Sequence, residues 1–220
     1  MIKKANFSQI ISFIFHPLMM PTILFSIIFY GIPILIPDLN KYASETQIGI
    51  FSLKAALIIL IFMKTYLLPA IIIYILYRLR IIKRLEMETI AERRIPYLVT
   101  VIIYTLVAIF FSKKLSQLPE IAVIFIFITI SICIVAVVSV YWKISAHAVG
   151  ISGLVGILMG AFIRLNLNYI LIYVFISLLF SILILIARLK LKAHNLAQVL
   201  VGFGVGFIVS LVCVLFYIGN

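Results

Sequence analysis

The sequence predicts an all-α fold, a polytopic transmembrane bundle of six to seven helices, on three observations. Hydrophobic residues make up 66% of its 220 positions. Charged residues make up only 11%, against about 25% in a soluble domain. Apolar runs of roughly 20 residues, the length that crosses a bilayer, recur along the chain. Residues 1–220 therefore read as a single integral membrane domain. The formal net charge of +12 does not point to nucleic acid, because the bases flank apolar runs and form no soluble basic surface. Membrane orientation and anionic headgroups account for them. Cys133 and Cys213 lie deep in apolar runs and indicate neither a disulfide framework nor a metal–thiolate site.

The first span covers 10–36. It is too long for a signal peptide and lacks a small-residue cleavage pattern, so it reads as retained. It contains His16-Pro17, Pro21 and Pro33, and prolines kink a membrane helix where packed neighbours tolerate the freed carbonyls. His16 has two readings, a packing residue near the interface or a liner of a polar cavity; the first is the commoner use. A polar link at 38–47 leads to span two, 48–77, which is interrupted by Lys54 and Lys64. An ammonium in mid-bilayer is costly, so Lys64 either snorkels or faces the bundle interior. The expectation is that it points inward, nearer a polar site than the lipid.

Residues 78–94 carry Arg78, Arg80, Lys83, Arg84, Glu86, Glu88, Glu92, Arg93 and Arg94, with room for a short surface helix. Span three, 96–111, opens on Pro96, a residue suited to a first helical turn. Span four covers 119–142, span five runs from the 143–147 turn to about 163, span six covers 169–187 and span seven 196–218. Gly156 with Gly160, and Gly202 with Gly206, mark two faces that permit close helix approach. A homo-oligomer is compatible with such faces.

Seven crossings put the N-terminus and the stretches 78–94, 143–147 and 188–194 on one side of the membrane. Parity carries this expectation: two crossings separate each stretch from the next. The third stretch holds Arg188, Lys190, Lys192 and His194, with Gln198 one helical turn beyond the histidine. The second holds Lys143, Ser145 and His147. A cluster of bases and histidines at a membrane surface suits a phosphate group. Phosphoryl transfer through histidine needs a neutral ring nitrogen to attack phosphorus, fixed cations around the oxygens, and a proton for the leaving oxygen. His194, His147, Arg94, Lys143 and Arg188 have those capacities, and no metal or other cofactor is expected.

These residues carry a resemblance to the type-2 phosphatidic-acid phosphatase family. Its third motif, Ser-Arg-x5-His-x3-Asp, is similar to Ala187-Arg188, five residues, His194, three residues, Gln198. Its second, Pro-Ser-Gly-His, resembles Ile144-Ser145-Ala146-His147. Its first, Lys-x6-Arg-Pro, is matched loosely by Arg93-Arg94-Ile95-Pro96, with one extra residue before the proline and Met87 at the lysine position. The resemblance spans about residues 78–206, the phosphatase-like core. It implies His194 as the phosphorylated nucleophile and His147 as the acid for the leaving group. Arg188, Arg94 and Ser145 become phosphoryl ligands, with Arg93, Lys143 and Lys64 as further candidate bases. Gln198 stands where an aspartate would orient the nucleophile, and an amide orients a ring without adding charge.

The expected activity is metal-independent hydrolysis of a lipid phosphate or polyprenyl diphosphate through a phosphohistidine. A family member with altered chemistry that binds lipid phosphates or is structural, and a membrane transporter, are the alternatives. A transporter should show internal repeats and broken helices. The substrate is expected to arrive laterally from the bilayer, the cell (inner) membrane. On orientation two readings compete. Bases concentrate on the motif side (Lys3, Lys4, Arg78, Arg80, Lys83, Arg84, Arg93, Arg94, Lys143, Arg188, Lys190 and Lys192), which the positive-inside rule places in the cytoplasm. Many members of the family it resembles act on the outer leaflet.

Overall fold

Helix dominates the computed structural model, which describes residues 6–48, 50–85 and 89–218. Among these described residues seven helical spans are long and apolar enough to cross a membrane. The first combines α1 (Phe7–Ile14) and α2 (Met20–Gly31), and the second α4 (Leu53–Phe62) and α5 (Leu68–Arg78). The remaining five are α6 (Ile90–Lys114), α7 (Pro119–Val138), α8 (Ala146–Leu165), α9 (Ile170–Lys190) and α10 (Leu196–Tyr217). The link after the first span holds the short α3 (Leu39–Glu45) and a two-stranded antiparallel ladder, β1 (Gln47–Ile48) with β2 (Phe51–Ser52). Lys3, Lys4, Glu86, Met87 and Glu88 lie outside the described residues.

Both of the first two spans are broken. His16-Pro17 interrupts the first, where a 3-10 turn at Pro17–Met19 replaces the α-helical ladder that proline cannot complete. A π-helical segment, Met63–Leu67, interrupts the second just before Pro69. Elsewhere the helix ends follow their capping residues. Thr89 and Glu92 form a reciprocal capping box, with Thr89 N donating to Glu92 Oε2 (3.1 Å) and Glu92 N to Thr89 Oγ1 (3.3 Å). The third span therefore starts at Ile90 rather than at Pro96, and Pro96 sits in its second turn. No separate surface helix forms among the described residues of 78–89.

At the C-terminal ends of α5, α8 and α9 the chain turns through left-handed residues: Arg80 (φ 59°), Asn166 (φ 50°) and Lys192 (φ 52°). After α9 this is a Schellman turn, with Ala193 N on the Arg188 carbonyl at 3.2 Å and Lys192 N on the Leu189 carbonyl at 2.9 Å.

Helix α8 is the axle of the bundle: 61% of its apolar window is buried, against 22–39% for the other spans. The two glycine faces expected from sequence pack against each other here. An ideal Cβ on Gly202 would sit 2.8 Å from the Ser145 carbonyl, and one on Gly160 2.8 Å from Val214 Cβ. A Cβ on Gly206 would run into the Val149 carbonyl. On the other side of the core Phe25, Phe125 and Phe111 stack in sequence, with centroids 5.0 Å apart at each step, tying α2 to α7 and α6. Large apolar side chains such as Leu106, Leu179 and Ile208 face outward, as a lipid-solvated bundle requires.

Candidate functional site

The three motif-bearing stretches meet in one cavity of about 220 Å³, joined by the break in the first span. Each side chain arrives there for a local reason. The Schellman turn after α9 brings His194 back beside Arg188, which lies in the last turn of that helix. Asn195 then caps α10 through its own box with Gln198. At the start of α8, Ser145 is the N-cap and its N–H donates to the Gln198 carbonyl at 3.3 Å, which docks the two helix ends. His147 follows in the first turn of α8. On α6, Arg93, Pro96, Tyr97, Thr100 and Tyr104 occupy one helical face and all line the cavity.

Hydrogen bonds set the protonation of the rings. His194 Nδ1 lies 3.1 Å from Gln198 Oε1 and 3.3 Å from the Lys143 carbonyl. Both partners are acceptors, so Nδ1 carries the proton and Nε2 presents a lone pair. Burial first, and then the charges of Arg93 and Arg188, push the His194 imidazole down to about 4, with Lys143 adding to the shift and the Gln198 hydrogen bond opposing it. Near neutral pH it is uncharged. His147 Nε2 lies 3.0 Å from the Ser12 carbonyl and so bears a proton, which leaves Nδ1 as an acceptor on the neutral ring.

Arg93 is buried and donates from Nη1 to the Ile144 carbonyl at 3.2 Å, with Tyr97 packed against it. Arg188 Nε is buried without a hydrogen-bond partner among the described residues. Among the described residues no carboxylate lines the cavity. A buried guanidinium with an unused donor in a cationic cavity favours an anion. Away from these groups the cavity becomes apolar, reaching Leu24, Tyr104, Ile128, Ile132 and Leu154. Three hydroxyls along that arm are already committed. Thr100 donates to the Pro96 carbonyl at 2.7 Å, Ser131 to Phe127 at 3.1 Å and Tyr104 to Thr65 at 3.0 Å.

The structure brings His194, His147, Arg188, Arg93 and Gln198 together and removes others from the set. Arg94 is exposed and reaches the Val140 carbonyl at 3.4 Å; successive residues on a helix point about 100° apart, so only Arg93 shares the inward face. Ser145 is fully buried, and its hydroxyl oxygen accepts from Ala148 N (3.4 Å) as the cap of α8. Lys143 offers His194 its carbonyl and does not line the cavity.

Lys64 is the clearest correction. Its ammonium lies 4.5 Å over the Phe110 ring, whereas Arg93 sits in the opposite end region of the same α6 helix. Seventeen residues of α-helix, about 25 Å, separate the two positions. A cation–π contact, and not the polar cavity, accommodates the charge. Conversely His16 and Tyr97 line the cavity. Tyr97 was detectable as the residue one turn beyond Arg93. Nothing local distinguishes His16 from a packing histidine.

Comparison of the chain with family models, curated proteins and solved structures finds no match.

Proposed function

We propose that this protein is an integral membrane phosphatase that hydrolyses a lipid phosphate or polyprenyl diphosphate through a phosphohistidine, related to the type-2 phosphatidic-acid phosphatases and acting in the cell (inner) membrane. One observation carries the reading: His194 is held through Nδ1 with Nε2 unprotonated, in a cavity that also holds Arg93 and Arg188. The apolar arm next to that polar end matches a substrate with a phosphate head and a hydrocarbon tail.

In the first step the His194 Nε2 lone pair forms a bond to phosphorus while the bond from phosphorus to the leaving oxygen breaks, its electron pair staying on oxygen. Arg93 and Arg188 neutralise the non-bridging oxygens. His147 Nδ1, unprotonated in the resting ring, takes the proton of the monoanionic phosphate group and passes it to a leaving alkoxide, ending neutral; a leaving phosphate needs no proton. In the second step water attacks phosphorus, His147 Nδ1 takes its proton, and the N–P bond returns its electrons to His194. Charge neutralisation falls to guanidinium groups, so divalent metal need not be supplied.

The test is phosphate release by the purified protein in detergent with a chelator present, over lipid monophosphates and diphosphates. Wild type should release phosphate and His194→Ala should not; equal release by both defeats the reading. A second reading, a lipid-phosphate binder without turnover, is favoured by Gln198, which orients His194 but adds no negative charge to support an imidazolium. Binding of the same lipids without release from either protein selects it.

A further inference from the structure

We infer that His16 is a third histidine of the phosphoryl site, donating a hydrogen bond from Nε2 to the leaving oxygen of the substrate. The inference rests on the phosphatase reading and adds a residue that none of the three motif stretches contains.

His16 occupies the break in the first span, and its Nδ1 accepts from Leu18 N at 3.3 Å as the cap of the 3-10 turn. A ring nitrogen that accepts a backbone N–H carries no proton, so the proton of the neutral ring is on Nε2. That N–H has no partner among the described residues, and the ring lines the cavity. His147 is oriented in the opposite sense. Its N–H is committed to Ser12, and the two rings meet edge to face with centroids 5.8 Å apart. One ring therefore presents an acceptor and its neighbour a donor, at the same point of the cavity.

The position along the cavity identifies the substrate atom. The His16 ring lines the same cavity as Arg93 and Arg188 and meets the His147 ring at 5.8 Å, which places it at the cationic end. Pro17, Met20 and Leu24, the residues that follow it, line the apolar arm. Tyr66 of the second span flanks the ring at 6.1 Å. His16 thus stands at the junction of the cationic end and the apolar arm. In a phosphorylated lipid that lies with its head at Arg93 and Arg188, the atom at this junction is the oxygen joining phosphorus to the rest of the molecule. When His194 attacks, the P–O bond breaks and negative charge collects on that oxygen. A fixed neutral donor stabilises the charge without supplying the proton, which remains the task of His147.

Two substitutions separate this role from the capping role. Asparagine places an amide near the Nδ1 position, so His16→Asn keeps an acceptor for Leu18 N and removes the Nε2 donor. Glutamine extends to the Nε2 position, so His16→Gln restores a donor there. With detergent-purified proteins of matched melting temperature, His16→Asn should slow release from an alkyl lipid monophosphate by roughly tenfold or more. It should change release from an aryl phosphate with a nitro-activated leaving group much less, and His16→Gln should recover most of the lost rate. The inference is overturned if His16→Asn matches wild type on the alkyl substrate, if it slows both substrates equally, or if His16→Gln is as impaired as His16→Asn. Failure of the underlying reading looks different: wild type then shows no excess over His194→Ala on any substrate.

Discussion

His194 and Gln198 are joined through Nδ1 and Oε1 at 3.1 Å, and the same amide oxygen accepts from Asn195 N at 3.2 Å. A single side chain thus closes the capping box of α10 and orients the candidate nucleophile. The local rule that starts a helix also presets the tautomer of the ring.

Replacing that amide by a carboxylate of equal length tests its electrostatic share. Gln198→Glu retains both hydrogen bonds and adds a negative charge that favours imidazolium, raising the His194 pKa above its value of about 4. Attack needs the neutral ring, so the rate falls as pH drops through the pKa. The acid limb of the pH–rate profile should therefore move to higher pH in Gln198→Glu. Gln198→Leu should lose both bonds, with a stability loss of about 1 kcal/mol and a lower rate at every pH. An unmoved acid limb in the glutamate variant would detach His194 from it.

The depressed His194 pKa also makes a stability prediction. Between about 4 and the ordinary 6.5 the unfolded chain binds the proton that the folded one rejects. The stabilising effect is fully present above 6.5 and is lost as pH falls toward 4, a change on the order of 1–3 kcal/mol. Melting temperatures in detergent should drop over that window for wild type and drop less for His194→Gln.

Arginine placement predicts unequal effects from adjacent residues. Arg93→Lys should weaken inhibition by inorganic phosphate by about tenfold or more, because a lysine cannot reproduce the forked donor set. Arg94→Lys and Lys64→Met should stay within about twofold, since one side chain is exposed and the other lies against Phe110. Comparable losses in all three proteins would contradict the assigned orientation of α6.

Two glycines of α10 should respond oppositely to the same methyl group. At Gly206 a Cβ meets the Val149 backbone and Ser152, so Gly206→Ala should destabilise by about 1–3 kcal/mol. Gly204 has nothing within 4 Å of its would-be Cβ, and Gly204→Ala should stabilise by about 0.5–1 kcal/mol through helix propensity. Thermal unfolding in one detergent measures both.

The turn that delivers His194 is strained at Lys192, whose φ of 52° favours glycine. Lys192→Gly should raise stability by about 1 kcal/mol and Lys192→Val should lower it. A melting temperature unchanged in both would show that the turn adopts another conformation in solution.

The sequence by itself determined the class of fold, the seven apolar spans, the common side of the three motif stretches and the two close-packing glycine faces. These depend on local quantities, apolar run length and helical spacing, or on parity, which needs only a count of crossings. It also marked His194, His147, Arg188 and Gln198, because their spacing keeps meaning wherever the helices begin. Tertiary structure alone chose between Arg93 and Arg94, since that choice is the rotation of α6 about its axis, set where Thr89 and Glu92 start the helix and by what packs against it. It moved Lys64 to Phe110, because a lone cation in an apolar span settles with whichever partner the neighbouring helix presents. It also brought the broken first span to α8, where Ser12 and His147 bond across 135 positions of chain. No local pattern encodes a contact at that separation, so the sequence left His16 between a packing residue and a cavity liner.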